Sequence, residues 1–235
     1  MSQNSNISYL NFLKKVGISS FLQNKPNIFY ENEDDKNNNL SNLDINEIKK
    51  LNDLESLIIK SNNLKYKNYS NKITIGDGNE NAKIFIIGES PEEENKKMKP
   101  FAGETEKLLD KMLKAINLDK KFVYKSNVVP WLIDKNKKIE NIDILKCLPF
   151  IQRQIEIINP KIILLMGPIA ANAILNSNLD FTNLRSKWHK YKSINLDQTI
   201  ECLVTYHPKY LIQFPKEKKY AWEDLQMLQK KINEN

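Results

Sequence analysis

The sequence predicts an α/β fold: a three-layer sandwich around a central, mainly parallel four-stranded sheet, with an N-terminal helical extension. Short apolar runs of strand length recur at 83–88, 122–129, 161–167 and 200–206. Segments with helical spacing separate them, and strands alternating with helices build a parallel sheet. Ahead of residue 71 no such alternation occurs, so we divide the chain into an extension over 1–70 and an α/β domain over 71–235.

In the extension, ISYLNFLKKVGISSFLQ (7–23) spaces its apolar residues as a helix does. ENEDDKNNNLSN (31–42) is polar and acidic and reads as a loop or linker. Asp44 can cap a second helix over about 45–61, with Leu51, Leu54, Leu57 and Ile58 on one face. The turn residues GDGN (76–79) close the extension. No internal repeat is present.

In the α/β domain, KIFIIG (83–88) is the first buried strand, followed by a helix over about 104–117 carrying Leu108, Leu109, Met112, Leu113 and Ile116. FVYKSNVV (122–129) is the second strand, and a helix over about 141–158 follows. KIILLMG (161–167) is the third, leading into a helix that Pro168 opens at its first turn. IECLVTY (200–206) is the fourth, and a terminal helix starts near 217.

Composition narrows the function classes. The chain has 235 residues, 40% of them hydrophobic, enough for a sizeable core. No run of eighteen apolar residues suits a membrane span, and MSQNSNISYLNFLKK lacks the order of a secretory signal, so a cytoplasmic location is expected. The formal net charge is +7. Nine Lys face eight acids over 1–70, whereas 27 Lys and Arg face 21 acids in the rest, a balance that suits an anionic partner such as DNA. The charge is also what a Lys-, Asn- and Ile-rich composition produces without any such partner. Cys147 and Cys202 form neither a disulfide framework nor a CxxC pair.

In parallel sheets, ligands sit beyond the carboxyl ends of the strands, so polar residues there are the candidates. Glu89 follows the first strand, in GESP (88–91), where Gly88 permits close approach to the backbone; a turn cap is the plainer role for that carboxylate. Phe101, in KPFAG, precedes the next helix and is a core residue or a stacking platform. Asn127 ends the second strand, offering a donor and an acceptor side by side. His207 follows the fourth. A lone His is usually structural, but one at the same sheet edge as a Glu and an Asn points to a site. His189, the other histidine, reads as surface or loop.

Taken in order, GESPEEEN, KPFAGETEKLLDKML, VYKSNVVPW, CLPFIQRQIEIINPKIILLMGPIAANAIL, NLRSKW and TYHPKYLIQFPKEKKYAWEDLQML resemble the family 4 uracil-DNA glycosylases, the iron–sulfur type. The resemblance runs from about 76 to 231, and the N-terminal helices look like the extension of alphaproteobacterial members.

The resemblance implies a DNA repair glycosylase that flips uracil out of DNA and hydrolyses its N-glycosidic bond, leaving an abasic site. It implies that Glu89 positions the attacking water and that His207 stabilises charge developing on uracil O2. Phe101 would stack on the base, Asn127 would read its Watson–Crick edge, and Ser90 would help grip a flanking phosphate. Glu94 would take the family's second acidic position, with GESPEEEN one residue shorter than the family pattern. Pro208 and Leu211 would contact DNA, Leu211 or its neighbours filling the vacated stack. The partner is uracil-containing DNA; no membrane and no obligate protein partner are expected.

The departures concern the cluster. Four cysteines hold a [4Fe–4S] cluster, and only Cys147 falls on a ligand position here. Trp131 stands where another would be, so no metal and no cofactor are expected. Gln213 replaces an arginine of the family pattern. The alternatives are a non-catalytic DNA-binding relative of the same fold, and a glycosylase for another deaminated base.

Overall fold

The computed structural model describes residues 45–61, 73–91, 99–132, 138–193 and 195–234. The expected helix over 7–23 and the linker over 31–42 lie outside these residues, as do Asp44 and Glu94.

Among the described residues six strands form one sheet: β1 (Asp77–Gly78), β2 (Ile84–Gly88), β3 (Val123–Asn127), β4 (Ile162–Met166), β5 (Trp188–Lys192) and β6 (Thr199–Thr205). Their order is β1-β3-β2-β4-β6-β5. The four strands read from the sequence are the central four, β3, β2, β4 and β6, and all their pairings are parallel. The two edges were not expected. β1 adds antiparallel to β3, and β5 adds antiparallel to β6. At two residues β1 is too short to show a period, and β5, WHKYK, has a mostly exposed or half-buried face with only Tyr191 buried. His189 therefore lies on an edge strand rather than in a loop; its Nε2 lies 2.7 Å from the Leu184 carbonyl oxygen, a structural tie.

Seven α-helices complete the described fold: α1 (Leu51–Lys60), α2 (Glu104–Ala115), α3 (Asn141–Ile158), α4 (Pro168–Leu175), α5 (Phe181–Leu184), α6 (Pro208–Gln213) and α7 (Lys218–Asn233). They cover both sheet faces, and the period of two in the strands assigns the layers. Ile84 and Ile86 of β2 pack with Leu109 and Leu113 of α2 and Leu225 and Leu228 of α7. Phe85 and Ile87 belong to the opposite layer, with Ile151 and Ile155 of α3 and Ala170 and Ile174 of α4. Both faces being covered, each central strand except β6 is buried along its whole length.

The second expected helix starts at Leu51, after a 3-10 turn at Ile45–Glu47, rather than near 45. Its buried Leu51, Leu54 and Ile58 join the core on the α3 side. Arg153 of α3 anchors the preceding turn: its Nε donates to the Ile48 carbonyl at 2.7 Å, and its guanidinium pairs with Glu156 at 2.7 Å.

From β2 the chain passes to β3 on one side and then to β4 on the other, so the strand order reverses beside β2. The crevice beyond the carboxyl ends at such a reversal is where open α/β sheets bind ligands.

Candidate active site

At that reversal β2 ends on Gly88, paired in register with Asn127 at the end of β3. A methyl group at Gly88 would sit 2.6 Å from Asn127 Oδ1 and 2.7 Å from Phe101 Cζ. Those distances are shorter than any real carbon contact, so only glycine lets the amide and the ring meet over the strand.

Asn127 is 1% exposed, and neither Oδ1 nor Nδ2 has a hydrogen-bond partner among the described residues. Leaving buried polar groups unpaired costs about 1–3 kcal/mol each. A donor and an acceptor held side by side at that cost match a ligand edge that carries an acceptor beside a donor.

Phe101 is 2% exposed and sits at φ +55°, the left-handed region that an aromatic residue enters at a cost of about 1–3 kcal/mol. That backbone turn, just before α2, lays its ring on the His207 imidazole. The centroids are 5.2 Å apart and the planes 19° from parallel.

His207 is the N-cap of α6, and Pro208 behind it holds its backbone extended, at φ −70° and ψ 137°. Its Nδ1 accepts the Lys209 backbone N–H at 3.2 Å. The neutral ring then carries its proton on Nε2, leaving that N–H as the donor. Burial, with the Lys209 charge as a smaller contribution, pushes the His207 pKa down to about 3, so the imidazole is neutral at ordinary pH. Gly167, at φ +92°, comes close enough that a Cβ there would lie 3.3 Å from the His207 Cβ.

Glu89 and Ser90 lie in the turn after β2, both partly exposed, and the Glu89 carbonyl accepts the Val129 N–H at 2.9 Å. Gly88, Asn127, Phe101 and His207 thus form one contiguous group, with Glu89 adjoining it in the chain. Pro208 is buried at the first position of α6. Leu211 is 1% exposed and packs in the core with the α2 and α7 side chains, rather than reaching outward. Positions 208 and 211 lie three apart on the inward stripe of α6, whereas Lys209, Tyr210, Ile212 and Gln213 occupy its exposed side.

Sequence reasoning missed the anchor beneath this site. Asp224 of α7 is fully buried, accepting from Thr205 Oγ1 at 2.9 Å, Ser186 Oγ at 2.6 Å and Arg185 Nη2 at 3.0 Å. Arg185 Nη2 also donates to the Tyr220 carbonyl at 2.8 Å. Burial raises the Asp224 pKa, and the three donors oppose that rise. The network fixes the end of β6 two residues before His207. The sequence carries no signal for it, since its partners are distant along the chain and meet only on folding.

The residues do not fit a [4Fe–4S] cluster, which takes four thiolates. The sequence has two cysteines. Cys147 lies inside α3 and Cys202 inside β6, both fully buried, and burial pushes both thiols up, Cys202 to about 12. Trp131, also fully buried, packs in the Cys147 layer.

The profile described as "Uracil DNA glycosylase superfamily" matches residues 75–226. The chain is 36% identical over 167 residues to a type-4 uracil-DNA glycosylase of Sulfurisphaera tokodaii, covering 68% of this chain and 72% of that protein. It is 34% identical over 144 residues to the type-4 uracil-DNA glycosylase of Archaeoglobus fulgidus, covering 60% and 72%. It is also 26% identical over 164 residues to a DNA polymerase of Bacillus phage SP01, which covers 69% of this chain and 17% of the polymerase.

Proposed function

Because the chain belongs to the uracil DNA glycosylase superfamily, we propose that it extrudes uracil from DNA and hydrolyses the bond between uracil N1 and the sugar C1′. The observation that carries this reading is Asn127 at the ligand end of the sheet, whose buried amide donor and acceptor have no partner among the described residues. Uracil presents O4 as an acceptor beside N3–H as a donor, and the amide matches both. Cytosine presents the reverse order, and a site built on hydrogen bonds rejects a mismatched edge far more strongly than one built on shape.

Reaching that amide requires the nucleotide to leave the stack, at a cost of a few kcal/mol. Phe101 stacks on the base, which requires its ring and the His207 imidazole to part, because the two are in face contact in this structure. As the N1–C1′ bond breaks, its electron pair departs with uracil and charge builds on O2. The neutral His207 donates Nε2–H to that oxygen, an interaction stronger in the transition state than with bound substrate. Glu89 holds the water that attacks C1′ and favours the cationic sugar. The water oxygen bonds to C1′, its proton is lost to the carboxylate or to solvent, and uracil leaves as an anion that solvent protonates. Ser90 and the turn after β2, with the Pro208 end of α6, grip the flanking phosphates. These roles use the chain's own residues, and the reading includes no iron–sulfur cluster, in keeping with the two buried thiols.

Incubation with a uracil-containing single strand, followed by alkali, tests the proposal. Cleavage at the uracil position is expected, and none at cytosine in the same context. Binding without cleavage would identify a non-catalytic relative.

A further inference from the structure

An aromatic stair leads away from His207. Tyr206, the residue before it, stacks on Tyr210 with centroids 5.3 Å apart and planes 7° from parallel. Tyr210 meets Phe214 at 4.7 Å, tilted by 37°. Phe181 braces the inner end, edge-on to Tyr206 at 5.1 Å. Tyr206 precedes α6, Tyr210 lies within it and Phe214 caps its end, so the three rings follow one another past the helix. Exposure rises outward: Tyr206 is half-buried, Tyr210 is 39% exposed and Phe214 is 50% exposed. Ile212, 42% exposed, widens the apolar strip.

The surroundings are cationic. Lys209, Lys216, Lys218 and Lys219 are exposed on the same stretch, against one partly buried acid, Glu217. The Arg185 guanidinium lies 5.2 Å from the Tyr206 ring, behind the stair, where its charge is matched by Asp224 and the lysines are left to meet an anionic strand. Core packing accounts for Tyr206, but it does not account for two large rings presented to solvent among lysines. Exposed aromatic rings spaced for stacking, flanked by cations, are the surface that unpaired nucleic-acid bases recognise, because every base has a π-face and each link of the strand carries a phosphate.

We propose that Tyr210 and Phe214 form a stacking platform for unpaired bases of the strand beside the extruded nucleotide, making single-stranded uracil DNA the preferred substrate. This rests on the glycosylase reading above. In a duplex the neighbouring bases keep their faces inside the stack, and the platform has nothing to hold.

The test uses the full chain with Tyr210→Ala, Phe214→Ala and Phe214→Trp. Affinity is read by fluorescence anisotropy on an undamaged oligothymidylate and on a uracil-containing single strand and its duplex, across a salt series. Melting temperature serves as the control for folding. The ratio of single-strand to duplex affinity is expected to exceed one in the parent and to fall about tenfold or more in each alanine variant. Phe214→Trp is expected to restore it. The slope of log affinity against log salt should stay unchanged, since no phosphate contact is removed. An unchanged ratio in both folded alanine variants, or equal loss on single strand and duplex, would overturn the platform. Binding to the undamaged oligothymidylate reads the platform without excision. A parent that binds it through these rings but releases no uracil keeps the platform and overturns the glycosylase reading. A parent that releases uracil, with the ratio unchanged in both folded alanine variants, does the reverse.

Discussion

The Phe101 and His207 rings lie face to face, 5.2 Å apart and 19° from parallel, and each is held by its own local structure. Phe101 is held at φ +55°, and His207 is held by the cap bond from Lys209 and by Pro208. The spacing leaves no room for a third ring between them. On the proposed reading a base that stacks on Phe101 therefore parts this pair, and His207 reaches its O2 only with the imidazole moved to the rim of the base. That is where a donor to a ring carbonyl is useful.

Asn127→Asp should weaken uracil excision and relax the rejection of cytosine. The substitution keeps the shape of the side chain but removes its donor, and an ionised carboxylate repels O4. Single-turnover rates on matched uracil and cytosine strands check this. Wild-type rates on uracil would remove Asn127 from the reading of the base edge.

Gly88→Ala should lower excision by about 100-fold or more, because the new methyl group occupies the space where Asn127 Oδ1 and Phe101 Cζ meet, 2.6 and 2.7 Å away. Forcing a methyl group into a packed site also costs typically 1–3 kcal/mol of stability, so melting temperature is measured with the rate. A variant that melts and cuts as the parent does would show that the two side chains are free to separate.

The pH profile separates a neutral from a charged His207. Its pKa is lowered from an ordinary 6.5 to about 3, so the ring stays neutral as pH falls through 6.5. No inflection near pH 6.5 is expected in the excision step. An imidazolium donor would instead give a rate that rises as pH falls through that value. Stability follows the opposite course. Below 6.5 the unfolded chain takes up a proton that the folded chain refuses, so this residue's contribution is lost as pH falls from 6.5 towards 3. Melting temperature against pH reads that loss, and His207→Ala should abolish this part of it.

Purified protein should be colourless, without visible absorbance from sulfur-to-iron charge transfer. The motivation is the donor set, two thiols buried in α3 and β6. About four irons per chain in anaerobically prepared material would contradict it.

Much of this fold was legible because the four central strands are buried on both faces, and burial on both faces writes itself as short, nearly continuous apolar runs such as IFIIG and IILLM. The edges were not, since β5 alternates Lys with ring residues and β1 spans two residues. Glu89, Asn127 and His207 could be picked out as candidates because such sheets bind ligands beyond their strand ends. Leu211 could not be oriented correctly from its motif: whether α6 turns it in or out is decided by how that helix packs on α2. The Asp224 network was illegible for a similar reason. Its partners Arg185, Ser186 and Thr205 lie 19 to 39 residues away and meet only in the folded chain.

The most direct test of the account is the excision step in His207→Ala, measured by single turnover beside DNA affinity and melting temperature. A donor aimed at developing charge typically contributes about 2.7–4 kcal/mol at the transition state, so the rate should fall roughly 10²–10³-fold with binding nearly intact. A folded variant that binds DNA and releases uracil at the parent's rate would contradict the account.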